Sequence, residues 1–296
     1  MNNISMNAYA KINLGLDVIG KRENGYHDLK MIMQTINLYD RLYFDVQESK
    51  GVELTSNLSN LPLGENNLIV RAANLMLEHY NISKGLRINL QKNIPIAAGM
   101  AGGSTDAATT MLAINKLFDL NIPQKELMEL GIILGADVPY CILRGTALSE
   151  GIGEILTPLS PLPKCHILIV KPNASVSTKY VYQHLVLDNT TIHPDIDGIR
   201  ACIEAKNIPG MCDLLGNVLE TVTIPKHPKI EEIKQFMKSM GAIGTLMSGS
   251  GPTVFGIFPT YRHAKLAYDK FKKGPYQKQT FLTVPYDPNQ ILNNEK

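Results

Sequence analysis

A glycine-rich run between two patterned segments has the residue types of a phosphate-binding loop. The run reads Gly99-Met100-Ala101-Gly102-Gly103-Ser104-Thr105-Asp106. Alternating apolar residues over 85–91 predict a strand before it, and helically spaced apolar residues over 104–119 predict a helix after it. The glycines are therefore expected at a helix N-terminus, where unpaired N–H groups and the helix dipole bind phosphate oxygens. The run is also compatible with a tight turn and a helix capped by Ser104 or Thr105.

Two better-known nucleotide motifs are not matched by this sequence. Residues 15–21 match the first seven positions of a P-loop, but Arg22 stands where that motif needs a Ser or Thr hydroxyl. The apolar, β-branched interior of this segment predicts a strand instead. Gly151 and Gly153 are followed by Leu156 where a dinucleotide-binding fingerprint needs a third glycine. A nicotinamide enzyme is therefore disfavoured.

Three further segments place polar residues beside apolar ones. Lys11 and Asn13 alternate with apolar residues, so they share one face of a predicted strand, and a solvent-exposed face explains this spacing equally well. Asp137 lies among apolar residues, where a carboxylate needs hydrogen bonds or a cation such as Lys11; a helix cap or turn before Pro139 is the alternative. Residues 248–253 form a Ser/Gly segment that is typical of a tight loop or of an anion-binding nest.

Composition indicates an ordinary globular protein that acts on a small molecule. The chain has 296 residues, of which 44% are hydrophobic, and a net charge of +2 with no long basic run. We therefore expect neither a nucleic-acid partner nor a membrane partner. The amino terminus lacks the parts of a signal peptide, which favours the cytoplasm, and the missing transit peptide favours a bacterium over a plastid. The 4 cysteines and 7 histidines show no paired-ligand spacing, so we expect reduced thiols and no zinc.

Segment patterns predict a mixed α+β chain with two domains. Three prolines within 157–163 disfavour helix and sheet alike and mark a boundary between domains at 1–156 and 164–296. The other predicted strands lie at about 6–19, 34–48, 165–170 and 254–258, and the other predicted helices at about 66–80, 230–240 and 261–273.

The order of the motifs resembles that of the GHMP small-molecule kinases. The segments that carry this resemblance are Lys11-Ile12-Asn13, the run from Pro95 to Thr105, and Ser248-Gly249-Ser250-Gly251-Pro252-Thr253. The segments 24–29, 135–139 and 145–154 resemble the corresponding segments of one branch of this family. Enzymes of that branch phosphorylate the 2-hydroxyl of 4-diphosphocytidyl-2-C-methyl-D-erythritol, a step of the non-mevalonate (MEP) isoprenoid route. The resemblance implies an N-terminal domain like ribosomal protein S5, a ferredoxin-like C-terminal domain, and an active site in the groove between them.

The resemblance also implies a role for each matching residue. Asp137 is the expected catalytic base, Lys11 its electrostatic partner, and Asn13 the residue that orients the erythritol arm. The expected cytosine contacts are a hydrogen bond from His27 and stacking on Tyr26 and on Tyr182 or the nearby Tyr180. The expected ATP-binding residues are Pro95, Ile96, Ala97, Ala98, Gly99, Met100, Ala101, Gly102, Gly103, Ser104 and Thr105.

The implied cofactors are ATP and Mg²⁺, for which Ser104 is the candidate metal contact. Met100 replaces the family's usual leucine and Thr105 its usual second serine, and both changes keep the chemistry of the position. A kinase for a mevalonate derivative, homoserine or a sugar is the alternative, followed by a non-catalytic nucleotide sensor. The sequence makes no prediction of an oligomeric state.

Overall fold

The computed structural model describes residues 2–23 and 25–286, and their contacts divide them into two compact units. Unit 1 comprises residues up to 10, 38–96 and 101–144, and unit 2 comprises the remaining described residues. Each unit is therefore assembled from separate stretches of the chain. The boundary predicted over 157–163 would separate two domains that are each continuous in sequence, and it stays a prediction.

The described residues form strands and helices throughout, which confirms a mixed α+β fold. The strands are β1 (Asn3–Lys21), β2 (His27–Gln47), β3 (Val52–Ser56), β4 (Gly85–Gln91), β5 (Thr146–Gly151), β6 (Ile155–Pro158), β7 (His166–Val170), β8 (Gly216–Asn217), β9 (Gly244–Met247), β10 (Val254–Phe258) and β11 (Thr280–Thr283). The helices are α1 (Leu68–His79), α2 (Gly102–Leu117), α3 (Gln124–Gly131), α4 (Val138–Leu143), α5 (Thr178–His184), α6 (Ile196–Glu204), α7 (Ile208–Asp213), α8 (Glu220–Lys226), α9 (Lys229–Ser239) and α10 (Tyr261–Lys272). None of these helices combines the length and apolar character needed to cross a bilayer.

Unit 1 is built around β4, which lies between two other strands. β4 pairs antiparallel with residues 41–47 of β2 and parallel with β3. α2 packs against α1 and α4, and its residues Ala107, Met111 and Ile114 are fully buried. These residues recur at helical spacing, and their burial explains why the period of the apolar pattern predicts α2.

Unit 2 contains an antiparallel sheet with the order β11-β7-β10-β9. Residues 167–170 of β7 are all fully buried, so both faces of this strand are covered and its apolar run is unbroken. A separate part of unit 2 pairs β5 with β6 and with residues 29–34 of β2. Thr157 and Pro158 end β6, so the proline-rich segment does begin in a strand, at a terminal position that tolerates proline.

A buried ion cluster in unit 1 ties together the elements that flank the glycine-rich run. The Lys92 ammonium pairs with Asp40 of β2 and lies 2.7 Å from Oδ2 of Asp106 of α2. Oδ1 of Asp40 accepts hydrogen bonds from the backbone N–H groups of Asn93 (2.6 Å) and Ile94 (2.7 Å). Burial alone would lower the pKa of Lys92, but the two carboxylates outweigh it and raise the pKa. The cluster therefore fixes both β4's exit and α2's first turns with charge-assisted bonds.

We predict that Lys92→Met destabilises the chain by about 3–5 kcal/mol, because two buried carboxylates then lose their cation. Asp106→Asn is the matched control, since it keeps the side-chain shape. Burial raises the pKa of Asp106 well above its usual range, so removal of this charge is expected to cost much less. Urea unfolding of the variants measures both effects, and equal midpoints for Lys92→Met and the unchanged chain would contradict the role of the ammonium.

Candidate active site

The glycine-rich run forms an uncapped start of α2. The helix begins at Gly102, and its N-cap residue Ala101 has a left-handed backbone (φ 56°) and makes no side-chain hydrogen bond to the helix. Ser104 and Thr105 lie inside the first turns, so the alternative in which one of them caps the helix is wrong. Because no capping side chain satisfies them, the first N–H groups of α2 are suited to bind an anion.

Packing in unit 1 explains which residues of the run are accessible. A Cβ atom at position 102 would lie 3.0 Å from Nζ of Lys92, so the ammonium packs directly against the start of α2 and glycine is favoured there. Gly103 is exposed and Ser104 is half-buried, whereas Thr105 is only 1% exposed. Ser104 is therefore the hydroxyl of the run that a ligand reaches more readily.

Residues 97–100 of the run belong to unit 2, where two hydrogen bonds hold them. The Ser248 hydroxyl donates to the carbonyl oxygen of Gly99 (2.9 Å). The backbone N–H of Lys11 donates to the carbonyl oxygen of Met100 (3.2 Å). Gly99 has φ 69°, and a Cβ atom there would lie 2.2 Å from the carbonyl oxygen of Ser248. Glycine is thus required at 99 by both conformation and space. Within unit 2, the first and third sequence motifs both contact the second.

Lys11 and Asn13 form a buried polar pair on one face of β1. Lys11 is 5% exposed and Asn13 is fully buried, so the solvent-exposed alternative is wrong. The Lys11 ammonium donates to Oδ1 of Asn13 (2.9 Å), and Nδ2 of Asn13 lies 3.3 Å from the sulfur of Met31. Asn13 therefore orients the ammonium. Its buried position increases the strength of any charge interaction that the ammonium makes.

Asp137 occupies the N-cap position of α4, as the structural alternative anticipated, but its side chain makes no capping hydrogen bond to that helix. The residue is half-buried and is followed by the fully buried Val138 and by Pro139, which sets the direction of the short helix. The carboxylate is thus at the N-cap position without serving as a cap. This arrangement is compatible with a chemical role for the carboxylate.

The turn between β1 and β2 presents the predicted base-binding residues of unit 2. Tyr26 is 59% exposed, and the His27 ring lies 5.2 Å from the Tyr182 ring, centroid to centroid, at an interplanar angle of 36°. Burial, with a smaller contribution from Lys21, lowers the pKa of His27, which favours the neutral imidazole. A neutral imidazole offers one donor and one acceptor. Asn24, which belongs to the same motif, lies outside the described residues.

The geometry of α5 distinguishes Tyr180 from Tyr182. The His184 ring stacks on Tyr180 with a centroid distance of 3.8 Å, and the Lys226 ammonium lies 3.7 Å from the same centroid. Two groups this close to one centroid must occupy opposite faces of the ring. Both faces of Tyr180 are therefore covered, which favours Tyr182 as the residue that stacks on a base.

Sequence reasoning missed the residues that support these motifs. Lys92 and Asp40 are separated by 52 positions. Asn217 holds the loop over 248–251 from 30 or more positions away. The type of Lys92, a charged residue in the short segment between a predicted strand and the glycine run, was the one available indication. Nothing local marks Asn217.

The residues at the start of α2 fit a magnesium ion that is held mainly by phosphate and water. Mg²⁺ keeps several waters and usually takes only one or two protein oxygens, and Ser104 offers one hydroxyl oxygen. Among residues 2–23 and 25–286, no group of three His, Cys, Asp or Glu side chains forms a metal cage.

Family models match the chain in two places. Residues 67–145 match the model described as GHMP kinases N terminal domain, and residues 199–277 match GHMP kinases C terminal. The first match includes α1, the glycine-rich run and Asp137. The second includes α8, β9, β10, Asn217 and the loop over 248–251.

Curated relatives match almost the entire chain. The 4-diphosphocytidyl-2-C-methyl-D-erythritol kinase of Lachnoclostridium phytofermentans is 56% identical and covers 98% of this chain and 100% of its own. The enzyme of the same name from Lachnospira eligens is 50% identical and covers 97% of this chain and 100% of its own. A crystal structure of 4-(cytidine 5'-diphospho)-2C-methyl-D-erythritol kinase matches with a TM-score of 0.81 at 33% identity, covering 96% of this chain and 100% of that one. With this identity along its length, the chain belongs to the family of 4-diphosphocytidyl-2-C-methyl-D-erythritol kinases, within the GHMP kinases.

Proposed function

We propose that this chain transfers the γ-phosphoryl group of ATP to the 2-hydroxyl of 4-diphosphocytidyl-2-C-methyl-D-erythritol, in the MEP isoprenoid route. The observation that carries the proposal is the 56% identity to a kinase named for this acceptor over 98% of the chain. The uncapped start of α2 and the position of His27 beside Tyr182 add support from the chain's own geometry. The reaction belongs in the bacterial cytoplasm, where ATP is available.

The run from Pro95 to Thr105 is the proposed ATP site. N–H groups at the start of α2 bind phosphate oxygens, and the positive end of the helix dipole favours their charge. The glycines allow close approach of the backbone. Bound Mg²⁺ supplies neutralisation of phosphate charge, and the Ser104 hydroxyl is the residue proposed to contact it or its water.

Asp137 is the proposed general base and Lys11 its electrostatic partner. Phosphoryl transfer depends mainly on alignment and charge stabilisation, so one carboxylate that accepts the hydroxyl proton and one ammonium that stabilises negative charge are sufficient. Asn13 supports this role because it accepts a hydrogen bond from the Lys11 ammonium (2.9 Å) and fixes its position. Asn13 is also proposed to orient the erythritol arm.

The cytosine of the acceptor is proposed to lie between Tyr26 and Tyr182, with its polar edge against His27. The exposure of Tyr26 leaves its ring accessible to a base. A neutral imidazole complements cytosine, whose edge carries an amino donor and ring and carbonyl acceptors. These contacts select the nucleotide part of the acceptor, which other GHMP acceptors lack.

The test of this function is ATP consumption with mass spectrometry of the product. We expect 4-diphosphocytidyl-2-C-methyl-D-erythritol to gain one phosphoryl group, and homoserine, mevalonate and galactose to remain unchanged. Phosphorylation of another alcohol alone would contradict the acceptor. ATP binding without turnover of any acceptor would instead favour a nucleotide sensor.

Asp137→Asn is expected to lower kcat at least 100-fold, because the amide keeps the shape of the carboxylate but does not accept the hydroxyl proton. ATP affinity, measured by calorimetry, is expected to stay within about threefold, which separates a chemical role from a folding defect. Turnover within about tenfold of the unchanged enzyme would refute the general-base assignment.

Tyr182→Leu is expected to raise KM for the cytidyl acceptor roughly tenfold, since a base loses one stacking surface. Tyr180→Leu is the matched control from the same helix, because both faces of its ring are already covered. Its acceptor KM should change by less than about twofold. Steady-state kinetics at saturating ATP gives both values, and the reverse order would assign the stacking role to Tyr180.

A further inference from the structure

Hydrogen bonds hold the carbonyl groups at the end of β9 and in the loop that follows it. Nδ2 of Asn217 donates to the carbonyl oxygens of both Met247 (2.9 Å) and Gly249 (2.8 Å). The Thr223 hydroxyl donates to the carbonyl oxygen of Ser250 (3.2 Å). The backbone N–H of Gly251 donates to the carbonyl oxygen of Ser248 (3.0 Å). Four successive carbonyl groups therefore have fixed directions.

The side chains that hold this loop are themselves fixed. Oδ1 of Asn217 accepts the backbone N–H of Leu219 (3.0 Å), which prevents rotation of the amide. Glu220 accepts the N–H of Met247 (2.9 Å) and pairs with Lys234 (2.7 Å). Asn217 is 6% exposed and Thr223 is 2% exposed, so water does not readily replace their bonds.

The same loop contacts the glycine-rich run through Ser248. Its fully buried hydroxyl donates to the carbonyl oxygen of Gly99 (2.9 Å). The backbones are so close that any Cβ at 99 would lie 2.2 Å from the carbonyl oxygen of Ser248. A shift of Ser248 therefore either breaks this hydrogen bond or moves the backbone at Gly99.

We propose that Asn217 and Thr223 are positioning residues for phosphoryl transfer. They fix the position of the proposed ATP-binding residues 95–105 through the Ser248–Gly99 hydrogen bond. This inference rests on the proposed role of residues 95–105 in ATP binding. Loss of one buried donor lets a carbonyl turn and displaces Ser248. The expected consequence is weaker ATP binding, because phosphate coordination by N–H groups depends on backbone position.

Thr223→Val removes one donor and keeps the side-chain shape. We expect KM for ATP to rise about three- to tenfold, as for one buried hydrogen bond, with acceptor KM unchanged. Thr221→Val is the matched control, since the Thr221 hydroxyl of the same helix donates to the carbonyl oxygen of Val218 (2.7 Å) instead of the loop. A loss of active protein would lower kcat and leave both KM values unchanged.

A double-mutant cycle with Ser248→Ala tests the route of the effect. We expect Ser248→Ala to raise KM for ATP to a similar extent, and the double variant to be no worse than about the larger single effect, because both act through one bond. Full additivity would overturn the route, and identical kinetics of Thr223→Val and Thr221→Val would overturn the proposal. If the unchanged chain neither binds a non-hydrolysable ATP analogue nor turns over, the proposed function fails as well. If turnover of the unchanged chain is normal and Thr223→Val has no effect, the proposed function holds and the positioning role is overturned.

Discussion

The buried ammonium of Lys92 is the interaction on which the order of the glycine-rich run depends in unit 1. It joins a carboxylate of β2 to a carboxylate of α2, and Asp40 also binds the first two N–H groups after Lys92. A lone charge in such a place would be very costly, but an ammonium that lies between two carboxyl groups is tolerated. The strand exit and the start of α2 are thus fixed by the same few atoms.

This support explains how α2 begins against local preference. A left-handed alanine at the N-cap position costs about 1 kcal/mol or more, and the lack of a capping side chain costs about as much again. Proteins keep such defects where a ligand benefits from them. The N–H groups that Ala101 leaves without a side-chain cap are those that a phosphate would satisfy. Instability at this point is therefore consistent with a binding function.

Periodic segments were predictable from the sequence, whereas pairings across the chain were not. The residue range of β4 and the positions of α1 and α10 follow from the pattern of apolar residues, since one face of each is buried. The position of α2 was predicted as well, although its residues 105–111 are all buried and its burial is not confined to one face. Short elements such as α7 and β8 contain too few residues to show a period. The alternation of Lys11 and Asn13 fixed a common face but not its burial, because packing partners decide that. The four-residue spacing of Tyr180 and His184 was a local indication that their rings stack on one face of a helix.

The most direct test of this account is an amide-resolved NMR titration of the ¹⁵N-labelled chain with a non-hydrolysable ATP analogue. If the start of α2 holds the phosphates, the N–H signals of Gly102, Gly103 and Ser104 will show the largest shifts, and AMP, which lacks the β- and γ-phosphates, will shift them far less. Saturation by the analogue with these three signals unmoved would contradict the central claim, since the phosphates would then be bound elsewhere.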